Sequence, residues 1–138
     1  MPSRCHILGL ALLMSIWIAT PVFSAQQIIA SGVDAAGKRH PGSRDFPGLD
    51  EPWIRDRIAY APPEYPYGDR RDRHEGDGLF RISIDLRTGT VAQVRVLKST
   101  GFPSLDSSAV TAIRKWRWKP GRWKEVDMPI RFTMRARR

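Results

Sequence analysis

Side chains suited to chemistry are few in this chain, with one cysteine and three histidines in 138 residues. Cys5 sits at the start of an apolar N-terminal run, too early to follow that run as a lipoprotein cysteine would. A chain cut near Ser24 has no cysteine, and so no disulfide framework, thiolate nucleophile or cysteine metal site. His40 and His74 lie in polar stretches. His74 has Asp72, Glu75 and Asp77 nearby, an oxygen-rich set with no second histidine, which reads as a solvated loop rather than a metal site. Asp85 and Asp106 read as a strand-face and a helix-start residue, not as an acid/base pair. Gly76-Asp77-Gly78 is followed by neither a lysine nor a helix pattern, so it is not a phosphate loop. The expectation is a non-enzymatic binding module that needs no cofactor and no metal.

A second group of residues could bind rather than react. Trp116, Trp118 and Trp123 are interleaved with Arg117, Lys119, Arg122 and Lys124. Aromatic rings among cations can stack on bases and hold phosphate, but an exported chain does not meet nucleic acid, and none is expected as partner. Trp116 reads as core; of Trp118 and Trp123, one is expected at a helix–strand corner and the other on the surface. Charge is lopsided within the total of +9. Residues 79–138 hold 14 Lys/Arg against four Asp/Glu, and residues 26–78 hold eight against ten. A basic half attracts anionic lipid, acidic protein or envelope polymer, and charge alone does not choose among them.

The elements that must position these residues follow three segments. Residues 1–25 carry Arg4 and His6, an apolar run from Ile7 to Ala19, and Ser24-Ala25 after Pro21. This is the pattern of a secretory leader, shorter than the ~20 apolar residues of a spanning helix; left uncut, it is a short anchor. Residues 26–60 are poor in aliphatic side chains and rich in Gly, Pro, Asp and Arg, and read as a disordered or loosely held linker. Within them Trp53 to Tyr60, preceded by Glu51-Pro52, suits a short helix.

Residues 61–138 read as the folded domain. Phe80, Ile82, Ile84 and Leu86 alternate with Arg81, Ser83 and Asp85 in a strand over Leu79–Leu86. Arg87-Thr88-Gly89-Thr90 supplies a turn, and Val91–Ser99 a second strand. Leu105, Ala109, Ala112, Ile113 and Trp116 form one stripe of an amphipathic helix, with Ser104 as N-cap and Pro120-Gly121 as stop. Val126, Met128, Ile130, Phe132 and Met134 alternate with Asp127, Pro129, Arg131 and Thr133 in a third strand. Pro129 donates no N–H, which places that strand at an edge. The expected fold is α+β: a small three-stranded antiparallel sheet (β-β-α-β) with one main helix packed on one face. About 60 residues without a disulfide lie near the lower limit for a stable domain.

The ordered set of these motifs resembles the TonB C-terminal domain family across most of residues 60–134. Ala61-Pro62-Pro63-Glu64-Tyr65-Pro66 resembles its entry, and Phe80 to Asp85 with Gly89 and Val91 its first hairpin. Ser99-Thr100-Gly101, Leu105-Asp106, Ala109, Ala112, Trp116-Arg117-Trp118 and Pro120 resemble its helix signature, and Met128 to Phe132 its final strand. The family places a short helix after Tyr65-Pro66; here residues 67–78 are polar and glycine-rich, which leaves that helix open. The resemblance implies a periplasmic adaptor that binds a short extended peptide, the TonB box, of outer-membrane transporters. Strand addition at an open edge would do this, with Val126, Asp127, Met128, Pro129, Ile130, Arg131, Phe132 and Thr133 as the candidate edge. It further implies an inner-membrane motor complex as partner if the chain is anchored; an open edge also suits a homodimer. The alternative is a free periplasmic interaction module without energy coupling.

Overall fold

Alternation builds the sheet. In a computed structural model, which describes residues 28–44 and 50–134, Phe80, Ile82 and Ile84 are buried on one face of β4 (Gly76–Ile84), whereas Arg81 and Ser83 are half-buried on the other. β5 (Val91–Lys98) pairs antiparallel with β4. The turn between them is closed by Asp85 N–H to Thr90 O at 2.9 Å and Gly89 N–H to Asp85 O at 2.7 Å. Gly89 is required there: its φ is +74°, and a Cβ would stand 1.9 Å from the Trp118 carbonyl oxygen.

The helix α3 (Pro103–Ile113) covers the apolar face with Leu105, Ala109, Ala112 and Ile113. Its N-cap is Phe102, with Pro103 at the first helical position. Ser104, expected as the cap, instead donates to Asp69 at 2.7 Å. Asp106 ties the incoming chain, accepting from Thr100 N–H at 2.8 Å, Thr100 Oγ1 at 2.7 Å and Ser99 Oγ at 2.5 Å. The helix ends before Trp116, so this tryptophan joins the core from the connection to a two-residue strand β6 (Arg117–Trp118) and not from the helix stripe.

β7 (Trp123–Phe132) lies beside β4 in register, Phe80 opposite Met128 and Ile82 opposite Val126. The expected edge strand is therefore an interior one. The strand order is β2-β1-β7-β4-β5, where β1 is Ile29–Asp34 and β2 is Arg39–Arg44. The sheet has five strands rather than three, because residues expected to be linker supply two of them. A second sheet pairs β3 (Arg57–Ala59) with β6. Two short helices complete the described residues: α1 (Pro52–Arg55), shorter than the expected stretch to Tyr60, and α2 (Tyr67–Arg71) after Tyr65-Pro66. The leader or anchor expected over residues 1–25 lies outside the described residues. No helix among the described residues is long and apolar enough to cross a membrane.

Candidate functional site

The site is the flank of β7 that faces away from β4. Val126, Met128, Ile130 and Phe132 point into the core, at 0%, 4%, 8% and 4% exposure, and offer no side chain to a partner. Asp127, Pro129 and Arg131 occupy the opposite face of the sheet, opposite Arg81, Leu79 and Asp77 of β4. Thr133 lies past the strand end and is exposed. What β7 presents along its flank is backbone, and β1 uses it: Ser31 pairs with Asp127, Gly32 with Val126 and Val33 with Glu125. These pairs stop two residues short of Pro129, which has no N–H to extend a ladder.

Two tryptophans floor the flank on the core side. Trp53 from α1 and Trp123 from β7 meet edge-to-face, with centroids 5.8 Å apart and planes at 81°. The hairpin β1–β2 lies over them because its inward residues are small. A Cβ on Gly32 would stand 2.8 Å from Trp53 Cε3 and 2.9 Å from Trp123 Cζ3. One on Gly42 would stand 2.9 Å from Trp53 Cζ2. Ala30 is fully buried. Trp123 Nε1 donates to Asp56 at 2.9 Å, and Trp118 Nε1 donates to the Trp53 carbonyl at 2.8 Å. Trp53 Nε1 is buried with no acceptor among the described residues. Both Trp118 and Trp123 are buried, so neither is the surface residue expected of one of them.

A charge cluster clamps the other face. Arg81 grips Asp127 with two hydrogen bonds of 2.8 and 2.9 Å, the bidentate geometry of the strongest ion pairs. Ser31 Oγ donates to the same carboxylate at 3.2 Å. Arg39 reaches Ser31 Oγ at 2.7 Å and Glu125 at 3.5 Å. The Asp127 carboxylate raises the Arg81 guanidinium above its ordinary value, more than burial lowers it. Thus β2, β1, β7 and β4 are stitched across one face by side chains.

At the end of the flank Asp56 gathers Trp123, Lys119 (3.2 Å) and Arg122 (3.2 Å). Burial pushes its carboxyl up, but the hydrogen bonds from Trp123, Lys119 and Arg122 together leave it below the usual value. Arg57 stacks over Tyr60 at 4.1 Å and Trp116 at 4.8 Å, and burial lowers its pKa.

The motif residues act as joints. Tyr65 donates to the His74 carbonyl at 2.5 Å and packs edge-on against Phe132. Pro66 caps α2, and Leu105 is fully buried. Gly101 takes φ +96° before α3. Trp116 Nε1 donates to the Ala61 carbonyl at 2.7 Å. Pro120 is exposed in the turn before β7. His74 is stacked on Phe102 at 4.1 Å and bonded to Asp69 at 2.9 Å; its pairing with these two differs from the solvated loop expected there. No cluster of three or more His, Cys, Asp or Glu is placed to hold a metal among the described residues.

Ala30, Ser31, Gly32, Arg39 and Gly42 were not legible as site residues, because a strand whose inward positions are Ala and Gly shows no apolar alternation. The usable signal was Gly37, at φ +85° between two extended stretches.

By architecture this is a small antiparallel α+β domain whose last strand lies between β4 and the chain's own β1. The chain belongs to the Gram-negative bacterial TonB protein C-terminal family, whose pattern matches residues 61–134. It is 33% identical over 78 residues to Protein tonB2 of Pseudomonas aeruginosa, covering 52% of this chain and 28% of that one. It is 30% identical over 82 residues to Protein TonB of Vibrio cholerae, covering 55% and 33%. The chain thus spans about a third or less of these relatives. The solution NMR structure of the Pseudomonas aeruginosa TonB CTD matches with a TM-score of 0.50 at 23% identity, covering 65% of this chain and 95% of that one, and shows the fold.

Proposed function

We propose that this protein is a TonB-like adaptor for energy-coupled transport across the outer membrane. It acts as a periplasmic, non-enzymatic binding module for a short extended peptide of an outer-membrane transporter. The observation that carries the reading is that the flank of β7, the family's final strand, takes an extended segment in antiparallel register, Ser31 to Asp34 against Trp123 to Asp127. Main-chain hydrogen bonds supply affinity in such a complex, and alternate side chains supply selectivity. Coupling to an inner-membrane motor complex requires the N-terminal segment to remain as an anchor.

Two measurements test this. Titration with a TonB-box peptide should shift the amide resonances of β7 before those of α3; no shift in a folded Gly32→Val chain, whose own β1 no longer fits beside β7, overturns peptide binding. N-terminal sequencing and fractionation from a Gram-negative host should find the chain intact in the membrane. A soluble chain cut near Ser24 cannot transmit force and supports the free interaction module.

A further inference from the structure

We infer that the β7 flank is a strand-accepting groove with a readable side-chain code, and that β1 is a removable strand of the chain's own that fills it. An external strand enters only by replacing β1, with glycine opposite Val126 and a small residue two positions before it. The inference rests on the strand-addition reading above and deepens it by naming the ligand class, an extended small–polar–glycine segment.

The code is set by the walls. On the core side the Trp53 and Trp123 rings leave no room for a Cβ at Gly32, and Ala30 is fully enclosed. On the other face the Asp127 carboxylate accepts from the intervening Ser31 hydroxyl at 3.2 Å. A strand with large inward residues is rejected by overlap, and one lacking the hydroxyl forgoes a bond to a buried carboxylate.

Several features mark β1 as removable. The matched family residues, 61–134, contain β4, β5, α3 and β7, whereas β1 and β2 are appended ahead of them. The hairpin places a single fully buried apolar side chain, Ala30, in the core, and Ile29 is 39% exposed. Its registers with β2 and with β7 are each broken by an irregularity. It lies over the Trp53 ring, against Cε3 at Gly32 and Cζ2 at Gly42. The other edges suit strand addition less. β5 has two register breaks against β4, and β2 carries Pro41; both devices blunt an edge. A tethered strand competes at an effective concentration on the order of millimolar, so an external strand binds weakly until β1 is loosened.

The test uses the full 138-residue chain carrying Cys5→Ser. Probes are a fluorescent peptide of residues 28–35 (IIASGVDA) and a control peptide with valine in place of its glycine. In the Gly32→Val chain, whose own strand no longer fits, the glycine peptide should bind and shift the Val126 and Asp127 amides, with the valine peptide at least tenfold weaker. Equal binding of the two peptides, or none to a folded chain, overturns the inference. Should Gly32→Val fail to fold, Val33→Cys with Glu125→Cys locks β1 at a facing pair. Peptide binding should then fall at least tenfold on oxidation and return on reduction; indifference to the lock overturns the inference. A TonB-box peptide separates the two claims. If it binds locked and unlocked chains alike, the groove inference falls and the adaptor reading stands. If it binds neither while the glycine peptide binds the unlocked chain, the adaptor reading falls and the groove stands.

Discussion

Gly32 faces Trp123 so closely that a Cβ on the glycine would stand 2.9 Å from Cζ3 of the indole. This contact joins a strand from the first third of the chain to the last strand of the sheet. It makes a glycine, a poor strand former in general, the residue the strand needs.

Gly32→Ala should therefore destabilise the protein. Overpacking a filled site costs about 1–3 kcal/mol, and the loss should appear as a lower urea midpoint followed by tryptophan fluorescence. Gly37→Ala tests the other use of glycine in this hairpin. No atom lies within 4 Å of its Cβ position, so only the strain at φ +85° acts. The cost should be about 1 kcal/mol, and an unchanged midpoint for Gly32→Ala refutes the packing account.

Asp127 and Arg81 should be strongly coupled. Removing one member takes two short bonds from the other, leaving Asp127 with Ser31 and Arg39 or Arg81 with Glu125, at about 1–3 kcal/mol. In a double-mutant cycle of Asp127→Ala and Arg81→Ala the coupling should exceed about 0.5 kcal/mol. Arg131→Ala against Asp77→Ala should give less despite equally short bonds of 2.8 Å, because that pair is exposed. Equal coupling at the two sites counts against burial as the deciding factor.

Stability should fall in acid through Asp34, Asp56 and Asp69. Each carboxyl is held below its ordinary value of 3.8: Asp34 by a hydrogen bond to His40, Asp69 by one to His74, and Asp56 by three bonds that outweigh its burial. A depressed carboxyl stabilises the fold fully above its unfolded value. That contribution is lost as pH drops through 3.8 toward the folded value. The melting temperature should therefore decline steeply below about pH 4, and less steeply in Asp56→Asn. The same decline in both proteins excludes Asp56 as a contributor.

Trp116→Phe should cost about 1 kcal/mol, since it leaves the half-buried Ala61 carbonyl without its 2.7 Å partner while keeping most of the ring. The variant should also loosen Arg57, which stacks on the indole at 4.8 Å. Faster hydrogen exchange at Ala59 and Arg117, paired across the small sheet, reports that loosening.

Much was legible without coordinates. Phe80-Ile82-Ile84 and Val126-Met128-Ile130-Phe132 announce strands because alternate positions must be apolar for one face of a sheet to be buried. Leu105, Ala109, Ala112 and Ile113 announce the helix that covers them. Gly89 marks a turn that only a residue without a Cβ can make. These signals are local, and they sufficed for the order β-β-α-β and for the family. The place of β7 was decided by the tertiary structure. Pro129 argued for an edge, yet a missing N–H forbids one hydrogen bond and not a neighbour alongside Trp123 to Asp127. The neighbour, Ile29 to Asp34, looked like linker because burial against two indole rings selects Ala30 and Gly32, and small side chains leave no hydrophobic period to read. The ion cluster of Arg39, Ser31, Arg81 and Asp127 joins positions 31 to 127, and no spacing along the chain encodes a contact that exists only once four strands lie side by side.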